Sequence, residues 1–122
     1  ILWVVGQDVD TTSPAPHVSI LKSDLAGSKI DLAAVLDELG SRGLHNIMIE
    51  AGAELAGAFV QSRLVDKVAA FIAPKIIGGK EAPGPVAGLG ISVINDALVL
   101  ENITHSVIDG DILVEGFVSK SS

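Results

Sequence analysis

The chain lacks cysteine altogether, which excludes disulfides, thiolate metal sites and a cysteine nucleophile. Histidine is scarce as well: His17, His45 and His105 stand far apart, with no HxH or HxxxH spacing, so we expect no zinc or other metal site. Aromatic residues make up 3% of a chain that is 48% hydrophobic, so its core must be built from Val, Ile, Leu and Ala. The absence of cysteine fits a cytoplasmic protein, and this is the location we expect.

Positive charge is also in short supply. The chain carries 8 Lys and Arg against 15 Asp and Glu, a formal net charge of -7. This balance argues against nucleic acid or an anionic membrane surface as the main partner, and a ligand that bears phosphate would need local donors to hold it. No apolar run reaches the roughly 18 residues of a membrane-spanning helix. With 122 residues, the chain is long enough for one core, and we predict a single domain over residues 1–122.

Apolar periodicity predicts alternating strands and helices. One helix is expected to follow an N-cap at Asp31, because apolar residues recur at i, i+3, i+4 and i+7 up to Leu39, with Gly40 and Gly43 as its stop. A second helix is predicted over residues 53–63, with Leu55, Phe59 and Val60 toward the core. The predicted strands cover residues 1–5, 17–21, 46–50 and 65–73. This order is typical of an α/β protein whose strands are parallel and covered on both faces.

The last third of the chain changes character. Residues 77–90 are rich in Gly and Pro and are predicted to form a long loop, either a flap over a ligand or a plain surface connection. Two apolar runs between residues 97 and 118 are joined by Asp109 and Gly110. Asp-Gly between such runs is a strong hairpin signal, so we predict that the fold ends in antiparallel strands.

The stretch NIMIEAGAELAGAFV, residues 46–60, combines a carboxylate with a helix start. Glu50 ends a predicted strand, and ligands of open α/β sheets collect outside the carboxyl ends of strands. The following helix begins near Gly52, and its unpaired N–H groups favour phosphate. The pattern matches neither a Walker A loop nor GxGxxG. Locally, a solvated Glu50 beside a glycine that merely fits a turn explains it about as well as a ligand site does.

A wider set of motifs resembles the riboflavin-biosynthesis pyrimidine reductases, the reductase half of the bacterial bifunctional deaminase–reductase. The family pattern is an apolar strand followed by short motifs in a fixed order. These are here Glu50-Ala51-Gly52, Leu64-Val65-Asp66, Ala73-Pro74-Lys75 and Gly78-Gly79. The final Asp109-Gly110-Asp111 hairpin also fits, so the resemblance covers essentially the whole chain.

The resemblance implies a dihydrofolate-reductase-like three-layer fold, with a mixed, mainly parallel sheet between helices, and an NADPH-dependent reduction. The implied substrate is 5-amino-6-(5-phosphoribosylamino)uracil, whose opened ribose is reduced to a ribityl chain. By position, Glu50 matches the glutamate that contacts the substrate. The segment that lines the NADPH phosphates matches Gly52, Ala53, Glu54, Leu55, Ala56, Gly57 and Ala58. No residue of this chain is assigned as catalytic, and no metal is implied.

The chain opens on the strand-like ILWVV without an initiator Met. This is typical of a piece of a longer protein, although processing that removed a short tail is the alternative. We expect the C-terminal portion of a reductase domain, inactive by itself and homo-oligomeric, that follows a deaminase and the first half of the reductase domain. Two other functions stay open: a dihydrofolate-reductase-like NADPH reductase with another pterin or pyrimidine substrate, and a non-catalytic nucleotide-binding fragment.

Overall fold

The computed structural model describes residues 1–119, which form a mixed α/β chain with small sheets and two α-helices. The chain divides into two compact units, Ile1–Met48 and a second unit that begins at Ile49. The single domain expected over residues 1–122 stays a prediction.

The first unit contains a parallel strand pair. Strand β1 (Leu2–Gly6) pairs with β2 (Ser19–Ser23) from Leu2 opposite Ser19 to Gly6 opposite Ser23. A parallel pair requires a crossover of about a dozen residues, and the polar stretch 7–18 supplies it. Two-residue strands β3 (Leu25–Ala26) and β4 (Lys29–Ile30) then form a small antiparallel ladder.

Helix α1 (Leu32–Ser41) begins where the sequence predicts. The Asp31 carboxylate accepts a hydrogen bond of 3.1 Å from the Ala34 N–H, so it caps the first turn. At the other end, Gly43 has a φ of +82°. The Leu44 N–H donates to the Leu39 carbonyl and the Gly43 N–H to the Gly40 carbonyl, the paired bonds of a Schellman motif. Gly43 therefore ends the helix, whereas Gly40 lies within it.

The second unit opens with helix α2 (Ala53–Gln61), whose N-cap is Gly52. Phe59 is buried, as its position in the apolar pattern predicts, and Val60 is half-buried. Leu55, predicted to face the core, is instead 45% exposed. The helix ends in a Schellman motif like that of α1, but its left-handed residue is Arg63, with a φ of +52°.

Three antiparallel strands form the sheet of the second unit, in the order β5 (Lys67–Ile72), β7 (Asp111–Val118) and β6 (Leu100–Ile108). The predicted hairpin is confirmed: Asp109 and Gly110 both have positive φ, as a tight hairpin turn between β6 and β7 requires. A bulge interrupts β6 between Glu101 and Thr104, where Asn102 has a φ of +53°.

Two predictions about strands are wrong. Residues 46–50 form no strand, because they find no ladder partner within the part of the chain that the structure describes. The run at 65–73 does form a strand, but β5 pairs with β7 antiparallel and not with a parallel neighbour. Apolar character alone does not choose between these outcomes, since a strand exists only where another backbone satisfies its N–H and C=O groups.

Little apolar surface is fully buried. Among residues 1–119, Val5 in β1 and Phe59 in α2 are the buried hydrophobic side chains, at 8% and 6% exposure. The sheet of the second unit exposes Phe71 and Val107 among its apolar side chains. Neither helix is long and apolar enough to span a membrane, within the residues described.

Candidate functional site

A cleft of about 620 Å³ opens at the start of α2. One wall is the segment that enters the helix and its first turn, and the other wall belongs to the Gly- and Pro-rich loop. The lining residues are Glu50, Ala51, Gly52, Ala53, Glu54, Leu55, Pro83, Gly84 and Ala87. The cleft is shallow and open to solvent over most of its extent.

The helix start offers backbone donors to this cleft. The first intrahelical hydrogen bond is donated by the Ala56 N–H to the Gly52 carbonyl, so the amides of Ala53, Glu54 and Leu55 have no acceptor within the helix. Gly52 has no side chain to cap them. A Cβ at Gly52 would meet no atom within 4 Å, and its φ of -64° is open to any residue. Gly52 is therefore not needed for the turn, but it leaves space in front of the amides.

The charges that line the cleft are both negative. Glu50 and Glu54 are exposed carboxylates, and no Lys or Arg is among the lining residues. Glu50 makes no hydrogen bond or ion pair within residues 1–119, so its two oxygens are available to polar hydrogens of a ligand. Any phosphate in this cleft would rely on the helix amides and the helix dipole.

The structure brings most of the predicted site residues together. Glu50, Gly52, Ala53, Glu54 and Leu55 all line the cleft. The outward position of Leu55, unexpected for a core residue, gives the cleft an apolar patch. The remaining predicted cofactor residues, Ala56, Gly57 and Ala58, do not line it, and their roles stay predictions.

Sequence reasoning did not assign Pro83, Gly84 and Ala87 to the site, since they belong to a loop with no periodic pattern. The structure ties this loop to α2 by a 2.9 Å hydrogen bond from the Ala87 N–H to the Ala53 carbonyl. One signal was available in the sequence. A glycine in mid-helix costs about 1 kcal/mol of stability relative to alanine. A glycine at such a position is therefore typical of a place where another backbone comes too close for a side chain, and Gly57 is such a glycine.

No metal-binding cluster accompanies the cleft: residues 1–119 contain no group of three or more His, Asp or Glu side chains placed to hold an ion. The functional groups of the cleft are therefore carboxylates, backbone amides and small apolar side chains.

The fold is that of a known structure. RibD from Acinetobacter baumannii superposes on this chain with a TM-score of 0.71 over 84% of the chain and 27% of its own length, at 23% identity. The model of the RibD C-terminal domain family matches residues 3–114. The chain belongs to this family.

Relatives with assigned names agree with that placement. The 2,5-diamino-6-ribosylamino-4(3H)-pyrimidinone 5′-phosphate reductase of Methanothermobacter thermautotrophicus is 33% identical over 92% of this chain and 53% of its own length. The riboflavin biosynthesis protein PYRR of Arabidopsis thaliana is 40% identical over 69% of the chain, and RibD of Actinobacillus pleuropneumoniae is 33% identical over 80%. The chain spans 14%, 26% and 53% of the PYRR, RibD and pyrimidinone reductase sequences, respectively.

Proposed function

We propose that this chain is part of an NADPH-dependent reductase of riboflavin biosynthesis with a dihydrofolate-reductase-like fold, its sheet lying between layers of helices. The reaction is reduction of 5-amino-6-(5-phosphoribosylamino)uracil to the ribitylamino product, with hydride transfer to the opened ribose. The observation that carries the proposal is the cleft in which the free Glu50 carboxylate stands beside the open amides of α2. Family membership supplies the reaction class.

The backbone amides of the cleft, though not its two carboxylates, fit a nucleotide phosphate. The amides of Ala53, Glu54 and Leu55 would donate to phosphate oxygens, and the open space at Gly52 lets those oxygens approach. NADPH, when bound, supplies the hydride. Glu54 opposes an anion at the same helix start, which lowers the affinity that the amides alone would give.

Glu50 is assigned to the substrate. As an ionised carboxylate it accepts hydrogen bonds from the substrate's hydroxyl or amine hydrogens and so fixes the position of the reacting ribose. Placement of the reacting carbon relative to the hydride donor supplies much of the rate of such a reaction. Proton transfer is not assigned to a residue of this chain.

Glu50→Gln tests this assignment. The amide keeps the size of the side chain but removes the charge, and loss of a charge-assisted hydrogen bond costs roughly 1.5–3 kcal/mol. We expect kcat/KM for the pyrimidine to fall by about tenfold to a hundredfold, with NADPH affinity unchanged, in the natural full-length polypeptide. An unchanged kcat/KM would remove Glu50 from the substrate site.

Gly52→Val tests the phosphate assignment. Because a Cβ at Gly52 meets no protein atom within 4 Å, the fold should tolerate the change, and only a ligand in front of the amides should encounter it. Calorimetric titration should show weaker NADPH binding by the Gly52→Val variant, while the midpoint of thermal unfolding falls only slightly, because Val is a poorer N-cap than Gly. Equal NADPH affinity would place the phosphates elsewhere.

A second substrate is favoured by one comparison. The reductase from Methanothermobacter thermautotrophicus, named for 2,5-diamino-6-ribosylamino-4(3H)-pyrimidinone 5′-phosphate, matches nearly the whole of this chain. That compound retains an amino group on the ring where the uracil has a carbonyl. Oxidation of NADPH with each compound in parallel separates the two, and dihydrofolate serves as the control for a different reductase. If NADPH binds but none of these compounds causes its oxidation, the result favours a non-catalytic nucleotide-binding module.

The assembly and location are further parts of the proposal. We propose a homo-oligomer, supported by the apolar side chains that the second unit's sheet exposes, such as Phe71 at 63% and Val107 at 72%. We also propose a cytoplasmic location, which the absence of cysteine fits. Sedimentation velocity at several concentrations tests the assembly. A monomer throughout the range would contradict it.

A further inference from the structure

The Gly- and Pro-rich loop lies along one ridge of α2. Ala53, Gly57 and Gln61 are spaced four residues apart and therefore lie on the same side of the helix. The Ala87 N–H donates to the Ala53 carbonyl at 2.9 Å. One residue further along, a Cβ at Gly88 would come within 2.4 Å of the Gln61 side chain. Two consecutive loop residues thus follow successive turns of the helix.

Gly57, in the middle of this ridge, has no space for a side chain. A Cβ built on it would lie 1.9 Å from the Ala87 carbonyl oxygen and 2.7 Å from the carbonyl carbon. The obstacle is backbone and cannot rotate away. The Ala87 peptide would have to retreat by roughly 1 Å or more to reach ordinary contact distance, and its hydrogen bond to Ala53 would lengthen with it.

The position of this peptide bears directly on the cleft. Ala87 lines the cleft together with Pro83 and Gly84, which come shortly before it in the same loop. Gly57 does not line the cleft. Its missing side chain therefore affects the cleft only through the loop.

We propose that Gly57 is a positioning residue that seats the Pro83–Ala87 wall against α2 and so sets the width of the cofactor cleft. The seating is a property of the structure; its effect on NADPH rests on the proposed function of the cleft. A wall held in place before binding removes the cost of ordering it when the ligand arrives. This role differs from direct contact between Gly57 and the cofactor phosphates.

Gly57→Ala tests the proposal, with Gly40→Ala as the matched control. Both glycines lie inside helices, but a Cβ at Gly40 meets no atom within 4 Å. Amide hydrogen exchange in the natural full-length polypeptide should show Ala87 exchanging about tenfold faster or more in Gly57→Ala, while the later amides of α2 keep their protection. The dissociation constant of NADPH should rise roughly tenfold. Gly40→Ala should change neither quantity.

Each of the other outcomes contradicts a particular part of the proposal about Gly57. Unchanged protection of Ala87 in Gly57→Ala overturns the seating. Lost protection with unchanged NADPH affinity overturns the positioning role. If the unsubstituted full-length polypeptide does not bind NADPH, the proposed function fails and the positioning role fails with it, while the exchange of Ala87 still decides the seating. Should Gly57→Ala not fold, the same measurements are made on Gly57→Ala/Arg63→Gly against Arg63→Gly, because glycine relieves the left-handed strain at Arg63 and restores stability.

Discussion

The two helices differ in how the backbone groups at their ends are satisfied. At its first turn, α1 satisfies an amide with the Asp31 carboxylate, whereas α2 begins at Gly52 with no side-chain cap. At their last turns both form Schellman bonds, but α1 places Gly43 in the left-handed position and α2 places Arg63 there. Helix α1 is thus completed by its own residues. Helix α2 keeps donors open and carries backbone strain.

The same contrast appears in the middle of each helix. Gly40 in α1 has open space where a side chain would be, and Gly57 in α2 has the Ala87 carbonyl. Helix α1 contains no fully buried residue, while α2 buries both Gly57 and Phe59. Two of the features that weaken α2 as a helix, the missing cap at Gly52 and the glycine at position 57, face the cleft or hold its wall. We infer that α2 depends on tertiary contacts and α1 depends mainly on local ones.

Truncation of one apolar side chain in each helix should show this dependence most strongly. Phe59→Ala removes a side chain that is 6% exposed and should lower the free energy of unfolding by about 3–5 kcal/mol. Leu36→Ala in α1 removes a half-buried side chain and should cost about half as much or less. Urea unfolding followed by circular dichroism gives both values. Equal costs would contradict the assignment of α2 as the helix held by packing.

Substitution of the residue with left-handed backbone at the end of each helix should change stability in opposite directions, and by less than the two truncations. Gly43→Ala introduces a Cβ at a φ of +82° and should destabilise the chain by about 1–2 kcal/mol. No atom within 4 Å would meet that Cβ, so the cost is one of backbone conformation alone. Arg63→Gly should stabilise by about 1 kcal/mol, since the strain is relieved but the unfolded chain gains freedom. Thermal unfolding of the two variants measures the pair, and a loss of stability in Arg63→Gly would mean that its side chain makes a compensating contact.

The sequence predicts the structural features that depend only on neighbouring residues. Asp31 as N-cap, the stop at Gly43 and the Asp-Gly hairpin are all predictable, because each depends on a few neighbouring residues. The segment 46–50 is apolar at its centre, as the β5 run is, yet only β5 gains a partner, namely β7, whose paired residues lie forty to fifty positions further along the chain. Pairing at that distance leaves no mark in a local pattern. The loop over residues 77–90 is predicted, with a flap over a ligand as one of its two interpretations, but the loop residues that line the cleft are not, because they are distant in sequence from α2. Glu50 and Gly52 are found because helix start and carboxylate are adjacent in sequence.

The substitution with the smallest expected effect on stability, Gly52→Asp, tests why α2 has no side-chain cap. Gly52→Asp gives α2 the kind of cap that α1 has, and the new carboxylate should accept from the Glu54 or Leu55 N–H and stabilise the chain by a few tenths of a kcal/mol. The same hydrogen bond would occupy a donor that we assign to a cofactor phosphate, and the added charge would repel that phosphate. NADPH affinity should therefore fall while stability rises slightly. The reverse change, Asp31→Gly, removes a cap far from the cleft in sequence and should lower stability by a few tenths of a kcal/mol without an effect on NADPH. Thermal unfolding and calorimetric titration of both variants measure the two quantities. If stability and affinity rise together in Gly52→Asp, the open amides of α2 do not serve the ligand, and the missing cap has no functional reason.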